Sequence, residues 1–459
     1  MTLKVTKLAL ASRLIVLTVQ LLANWMVPDH KPDVFRMPRG NGDGWSNASA
    51  TPAFPWLDKL IEHCLGGLRH WDGEYFLHIA NNLYSYENTL AFYPLYPVLV
   101  RHVAQACLHL GVPLSQESLT LLIAVILNLW LFCESANLLY QLTQKIFGDS
   151  NKSWYAALIY CFNPATIFFS ATYSEPLFAY ASFYLMLECV RSRSGKGFRL
   201  PRLGLALTAC LLCRSNGLLT LGFPIYFFAR HLILSLGSSH YWQVIRMTLT
   251  VVLALAILHT YYFYIYRLYC LPSVTVEHPQ HILDYARERN YLTSGQGSAG
   301  SPWCAYTLPF PYTYVQSHYW DVGFLRYYQW KQLPNFLLAL PMLIFMHWHC
   351  FDYLRDIVAR ILPKLNPNTY RDFIKDHLTL PFVLHAIFLT VICTLYIHIQ
   401  VTTRLLASAT PIFYWFAADH MPKTLAQLSM RSKAGALLIW CMGYGLIGTV
   451  LFSNNYPWT

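Results

Sequence analysis

The chain has 459 residues, of which 55% are hydrophobic and 16% aromatic, and its mean hydropathy is +0.35. Asp, Glu, Lys and Arg together make up only 12%, about half the share of an ordinary soluble domain. That balance excludes a string of soluble domains and points to one polytopic helical membrane unit, because several apolar runs reach the roughly 20 residues needed to cross a bilayer.

The net charge of +11 does not indicate nucleic acid as a partner. The Lys and Arg residues gather in short loops between apolar runs, and no basic surface or aromatic–basic motif accompanies them. The 32 Tyr and 14 Trp suit an interfacial aromatic belt and also a carbohydrate site. The twelve cysteines do not combine with His into the spacing of a closed zinc site. Cys133, Cys161, Cys210, Cys213, Cys393 and Cys441 lie in apolar runs as small core residues. Cys270 and Cys304 bracket a polar loop, where a disulfide is left open because spacing does not establish geometry.

The first apolar run, 8–27, follows Lys4 and Lys7, contains Arg13 and ends at Pro28 with no small-x-small cleavage site. It reads as an uncleaved signal anchor with a cytosolic N-terminus. Residues 28–56 are a Pro-, Gly- and Asn-rich loop with the sequon Asn47-Ala48-Ser49, accessible to glycosylation if this side is lumenal. Leu57, Leu60, Ile61, Cys64, Leu65 and Leu68 then recur at helical spacing, with Asp58, Lys59, Glu62, His63 and Arg69 elsewhere. The pattern fits a helix on the membrane surface or one packed on its neighbours. It delivers the run His70-Trp71-Asp72-Gly73-Glu74-Tyr75-Phe76 to the bilayer boundary.

Basic clusters at Arg191, Arg193, Lys196, Arg199 and Arg202 and at Arg355, Arg360, Lys364, Arg371 and Lys375 mark cytosolic loops, with a third candidate between His420 and Lys433. Crossings are then expected near 8–27, 118–146, 154–171, 174–190, 203–215, 217–234, 246–270, 333–350, 377–399, 403–419 and 435–452. These eleven leave the C-terminus lumenal, with a first lumenal loop over 28–117 and a second over 272–332. The run 203–234, interrupted by Arg214-Ser215-Asn216-Gly217, is either a tight hairpin or one kinked helix. Residues 90–110 are taken as a lumenal or re-entrant element.

On this topology polar groups from distant segments meet on one face. His70, Asp72 and Glu74 stand beside Glu175, Arg214, Asn216, Trp320, Gln332, Gln400 and Arg404. Intramembrane charge is costly unless paired or functional. Asp72 is the expected catalytic base, although Arg214 paired with Glu175 would serve structure alone. Asn163-Pro164 reads first as a helix terminator, and His347-Trp348-His349 as an interfacial cluster. No Walker loop, H-E-x-x-H or Asp-x-Asp pair occurs. Without an Asp-x-Asp to hold a metal-bound nucleotide sugar, a glycosyltransferase would draw on a lipid-phosphate sugar, so no metal or cofactor is expected.

The run 70–76, Phe92-Tyr93-Pro94, Asn163-Pro164-Ala165, Tyr173-Ser174-Glu175, Arg214-Ser215-Asn216-Gly217, Trp320-Asp321-Val322-Gly323-Phe324, Gln332-Leu333-Pro334-Asn335-Phe336 and Pro457-Trp458-Thr459 together resemble the GPI mannosyltransferase 2 family. That family adds the second mannose during assembly of the glycosylphosphatidylinositol (GPI) anchor. The resemblance covers nearly the whole chain. It implies the all-α C-type glycosyltransferase fold in the endoplasmic reticulum membrane and dolichyl-phosphate-mannose as donor. It also implies α-1,6 transfer to the mannose already on the GPI precursor lipid, with Asp72 as base and His70, Trp71, Glu74 and Tyr75 around the substrates. A small accessory membrane subunit is left open. Asp321 departs from the Asn expected at its place. A transporter or lipid flippase, or a non-catalytic subunit of anchor assembly, remains the alternative.

Overall fold

Helices follow the apolar runs and break where Asn-Pro or Thr-Pro interrupts them. A computed structural model describes residues 2–38, 54–191, 199–234, 241–295, 300–361, 373–375 and 377–458. Asn47, Arg193, Lys196, Lys364 and Arg371 lie outside these residues. The order is α1 (Thr2–Met26), α2 (Pro55–Leu65), α3 (Asp72–Asn82), α4 (Leu95–His109), α5 (Gln116–Phe147), α6 (Ser150–Cys161), α7 (Glu175–Arg191), α8 (Leu200–Cys213), α9 (Gly222–Leu234) and α10 (Tyr241–Cys270). Then come α11 (Gln280–Arg289), α12 (Pro311–Trp320), α13 (Leu333–Ile361), α14 (Leu380–Leu395), α15 (Thr402–Ala409), α16 (Ile412–Asp419) and α17 (Lys433–Ser453). The fold is all-α and polytopic. Among the described residues the β structure is one antiparallel bridge, Tyr86 to Thr293.

Six of the expected crossings are helical segments long and apolar enough to span a bilayer: Thr2–Met26, Gln116–Phe147, Ser215–Leu234, Tyr241–Cys270, Trp330–Ala359 and Lys433–Ser453. The other five expected crossings fall on shorter or broken elements, so helix length does not establish a count of eleven. The run 154–171 stops at Cys161, where Asn163 receives the Ala165 N–H on its side chain (2.9 Å) and acts as a helix terminator. The run 403–419 divides into α15 and α16 at Thr410-Pro411. The 203–234 ambiguity resolves as two helices. Arg214 is extended (φ −155°, ψ 156°), and Gly217 folds back so closely that a Cβ would strike the Cys210 carbonyl.

The broken helix α6 creates a problem that Arg13 solves. Breaking a helix inside an apolar bundle strands backbone carbonyls, each costing about 1–3 kcal/mol if left unpaired. Arg13, fully buried, donates to Thr166 O (2.7 Å), Cys161 O (3.1 Å) and Ser170 Oγ (3.1 Å), and also to Thr166 Oγ1. Its guanidinium lies 3.8 Å over the Phe132 ring. The basic residue within the first span is thus a clamp on the α6 break.

Cross-contacts sort the helix ends into two sets. The His30 N–H donates to Asn454 O (2.9 Å), joining the end of α1 to the end of α17. At the other end Lys152 meets Asp419 (2.5 Å), and Arg230 donates to Ile374 O (3.1 Å) and Lys375 O (3.1 Å). The first set carries α2–α4, α11 and α12. Helix α2 buries none of its residues fully. Ile61 and Leu65 lean on the core while Trp56 (61% exposed) and Leu60 (49%) face outward, so it combines both roles allowed by its pattern. Cys270 and Cys304 form a disulfide (Cα–Cα 5.5 Å) beneath the cap made by the second loop. Buried Glu87 ties that cap down, accepting from Trp303 Nε1 (2.9 Å) and Tyr319 OH (2.9 Å).

Two outcomes follow. Arg13→Met should lower folding stability by about 2–5 kcal/mol, because it strands the carbonyls at the α6 break. Thermal unfolding in detergent reads this directly, and an unchanged midpoint would reject the clamp. His78, fully buried in α3 against Ser85 Oγ (2.6 Å), has its pKa lowered by burial from 6.5 to about 3. A base depressed in the folded state contributes its full stability above pH 6.5 and loses it as pH falls toward 3. Stability should drop by roughly 2 kcal/mol between pH 6.5 and pH 5, and His78→Gln should flatten that slope.

Candidate active site

The site begins with a strained turn. After the 3-10 turn Gly66–Leu68, Trp71 takes φ 57° and ψ −124°, a region L residues rarely occupy and one that costs about 1–3 kcal/mol. That kink starts α3 at Asp72 and lets Gly73 press on the loop before α7, where a Cβ would meet Thr172 Oγ1 at 2.5 Å. Tyr173 locks the junction. Its hydroxyl accepts the Asp72 N–H (3.0 Å) and donates to His70 O (3.4 Å). The Tyr173 loop is itself held by Asn128 of α5, whose amide donates to Tyr173 O (3.0 Å), Tyr96 OH (3.0 Å) and Ala171 O (2.5 Å). An Asn in the middle of the apolar stretch 121–133 was the available signal for that support.

Asp72 Oδ2 accepts from Arg404 Nη2 at 2.6 Å, while its side chain remains 29% exposed. Arg404, on the short helix α15, also reaches Glu175 (Nε to Oε1, 3.8 Å) and lies 5.2 and 5.3 Å from the Phe168 and Tyr173 ring centres. Glu175 is the first residue of α7, where the helix dipole favours an acid. It contacts Arg214 at 2.6 Å from the far side. The four charges form a chain, Asp72–Arg404–Glu175–Arg214. The Glu175–Arg214 contact is close but poorly aligned for a hydrogen bond. The expected Arg214–Glu175 pair therefore exists, with Arg404 sharing the acid.

A cavity of about 1200 Å³ opens on this chain. Its wall includes Asp72, Trp71, Tyr75, Glu175, Arg214, Asn216, Trp320, Gln332, Gln400 and Arg404, ten of the twelve residues expected at the site. Gln400 accepts from Tyr327 OH (2.6 Å), and Gln332 accepts from Asn335 (2.8 Å), which also donates to Tyr327 OH (2.8 Å). The Nε1 of Trp71 and the Nδ2 of Asn216 are buried without partners among the described residues. Among the described residues no three His, Cys, Asp or Glu side chains cluster as a metal site.

Two expected site residues are absent from the wall. Glu74 turns away, buried in an ion pair with Arg69 (2.8 Å) and accepting the Met37 N–H (3.0 Å). Arg69, two residues before Trp71, outcompetes both His70 and any substrate hydroxyl for that carboxylate. His70 points to α17, with Nε2 3.2 Å from Ser453 O, and burial lowers its pKa to about 4. Both residues fix the frame.

Tyr75 also changes role. Stacked between Phe35 (4.1 Å) and Phe92 (4.6 Å), it has no free face for a sugar ring and presents only its edge and hydroxyl. Trp320, 5.7 Å from Tyr75 and on the cavity wall, is the better platform. Asp321, with φ 52°, pairs with Arg326 (3.3 Å) outside the cavity, which accounts for an acid where an amide was expected. Sequence reasoning missed Asp33, Val34 and Phe35, which also line the cavity. They lie in a loop with no periodicity, where only an aromatic among prolines and charges stood out.

This constellation can hold an anion beside a carboxylate under an aromatic roof, and relatives of the chain carry names that agree. The chain is 70% identical to GPI mannosyltransferase 2 of Drosophila melanogaster over 460 residues, covering 100% of both chains. It is equally 70% identical over 457 residues to the protein of that name in Drosophila pseudoobscura pseudoobscura, covering 99% of each. With human GPI alpha-1,6-mannosyltransferase 2 it shares 31% identity over 504 residues, covering 99% of this chain and 98% of the relative. A transporter or flippase is not favoured by these relatives. The model of the family described as Mannosyltransferase (PIG-V) matches residues 2–459, and the chain belongs to that family.

Proposed function

We propose that the chain transfers mannose from dolichyl-phosphate-mannose, in α-1,6 linkage, to the first mannose of the GPI precursor lipid. The observation that carries the mechanism is Asp72. One of its oxygens is held by Arg404, and the other has no hydrogen bond among the described residues at the edge of the cavity. An oriented carboxylate with one free oxygen is what a general base needs. The donor carries a β linkage and the product is α, so one in-line displacement with inversion suffices.

The acceptor 6-hydroxyl oxygen attacks the anomeric carbon and gives its proton to Asp72. The bond from that carbon to the phosphate oxygen breaks, and dolichyl phosphate leaves with the electron pair. General-base assistance contributes about 10²–10⁴-fold. An arginine of the charge chain stabilises the phosphate as it gains its second negative charge. Trp320 stacks on a sugar face, and Asn216 and Trp71 offer N–H donors to sugar hydroxyls. The helix ends opposite the cavity carry Lys4, Lys7, Arg191, Arg202 and Lys433, with Arg199 just before α8. Positive-inside bias therefore supports a cytosolic N-terminus and a cavity facing the lumen of the endoplasmic reticulum.

Asp72→Asn should reduce transfer in microsomes to below about a tenth of wild type, with protein level and dolichyl phosphate binding unchanged. Greater residual activity would remove Asp72 as the base. Cells lacking the chain should accumulate a precursor with a single mannose. Turnover should persist in EDTA, and a loss restored by Mn²⁺ would refute the metal-free reading.

A further inference from the structure

The two arginines at the cavity are not equivalent. Arg404 is committed to the base: it bonds Asp72 at 2.6 Å and is flanked by the Phe168 and Tyr173 rings, while its Nε approaches Glu175 at 3.8 Å without an aligned hydrogen bond. Moving it would release the carboxylate it orients. Arg214 has one acid neighbour among the described residues, Glu175, and its Nη1 makes no well-aligned hydrogen bond despite the short contact. It sits on the extended residue that links α8 to the 3-10 turn Ser215–Leu221. Its neighbour Asn216 contributes the unpartnered Nδ2.

The cavity wall is mixed: besides Asp72, Trp320 and the other polar and aromatic groups it includes Leu218, Leu219, Leu389, Ile392 and Leu405. In a polyprenyl-phosphate sugar the phosphate is the junction between a polar ring and a hydrocarbon chain. It must lie where polar and apolar wall residues meet, and the segment that carries Arg214 and Asn216 continues into the lining residues Leu218 and Leu219.

We infer that Arg214, with Asn216, is the residue that holds the donor phosphate, and that Arg404 is a positioning residue for Asp72. Glu175 joins the two. It holds the Arg214 guanidinium at the cavity wall and approaches Arg404 with the same carboxylate. The planar fork of an arginine matches two phosphate oxygens, which a lysine ammonium does not. The inference rests on the donor reading above, and its test separates the two.

The test measures dolichyl phosphate binding to the purified full chain in detergent, alongside transfer kinetics with donor varied. Arg214→Gln should weaken dolichyl phosphate binding and raise the donor KM by about 10- to 100-fold, the loss expected for a charge-assisted bidentate contact. Arg214→Lys should fall between. Arg404→Lys should leave dolichyl phosphate binding and the donor KM within about twofold of wild type while lowering kcat, as Asp72 loses its fixed partner. Should Arg214→Gln unfold by stranding Glu175, the Arg214→Gln/Glu175→Gln pair removes both charges and should fold without recovering dolichyl phosphate affinity. Wild-type affinity in that pair or in Arg214→Gln, or loss of affinity in Arg404→Lys, would overturn the assignment and leave the donor reading standing. A wild-type chain that binds no dolichyl phosphate would overturn both.

Discussion

Charge neutrality inside an apolar bundle is the constraint from which the rest of the site follows. Each isolated ion would cost several kcal/mol to desolvate. The chain instead places two acids and two arginines in alternation, Asp72–Arg404–Glu175–Arg214. The members come from four separate segments, so the network can close only if α3, α7, the α8–α9 junction and α15 all start or stop at the same level. Local irregularities enforce that level. Trp71 accepts a strained backbone, Arg214 is extended between helices, and Thr410-Pro411 ends α15 after a few turns. Regular helices through these positions would carry the charges past one another.

Support for these irregularities lies outside the cavity. Arg13 and Asn128 are buried polar residues on long apolar helices, and each donates to two backbone carbonyls of the segment 161–173. That segment presents Tyr173 and Glu175. The Glu74–Arg69 pair and the His70–Ser453 contact hold the other side of the same frame. The C-terminal motif belongs to it too: Trp458 packs on Gly448, where any Cβ would collide with the indole. Motif residues near the cavity thus divide into those that touch its contents and those that fix its walls.

The aromatic roof shows a second division. Tyr75 is locked between Phe35 and Phe92, while Trp320 lines the cavity beside it without a stacked partner among the described residues. Trp320 is brought there by the second loop, which is fastened by the Cys270–Cys304 disulfide and by Glu87 between Trp303 and Tyr319. The roof is therefore assembled from both large loops, and neither makes it alone.

Much of this was legible in order of residues. Apolar runs, basic loops and the charge chain members Asp72, Glu175, Arg214 and Arg404 can all be read from sequence, because membrane insertion makes every buried charge conspicuous. The broken helices were legible less well, since an apolar run of adequate length reads the same whether or not an Asn-Pro stops it midway. Partner choice was not legible at all. Glu74 lies two residues from Asp72 with the same chemistry, yet Arg69 takes one and Arg404, 332 residues away, takes the other. What the sequence by itself determined was the membrane class, the family and the set of charges that had to find partners. What only the tertiary structure decided was which charge met which, because pairing depends on distances between segments far apart in the chain.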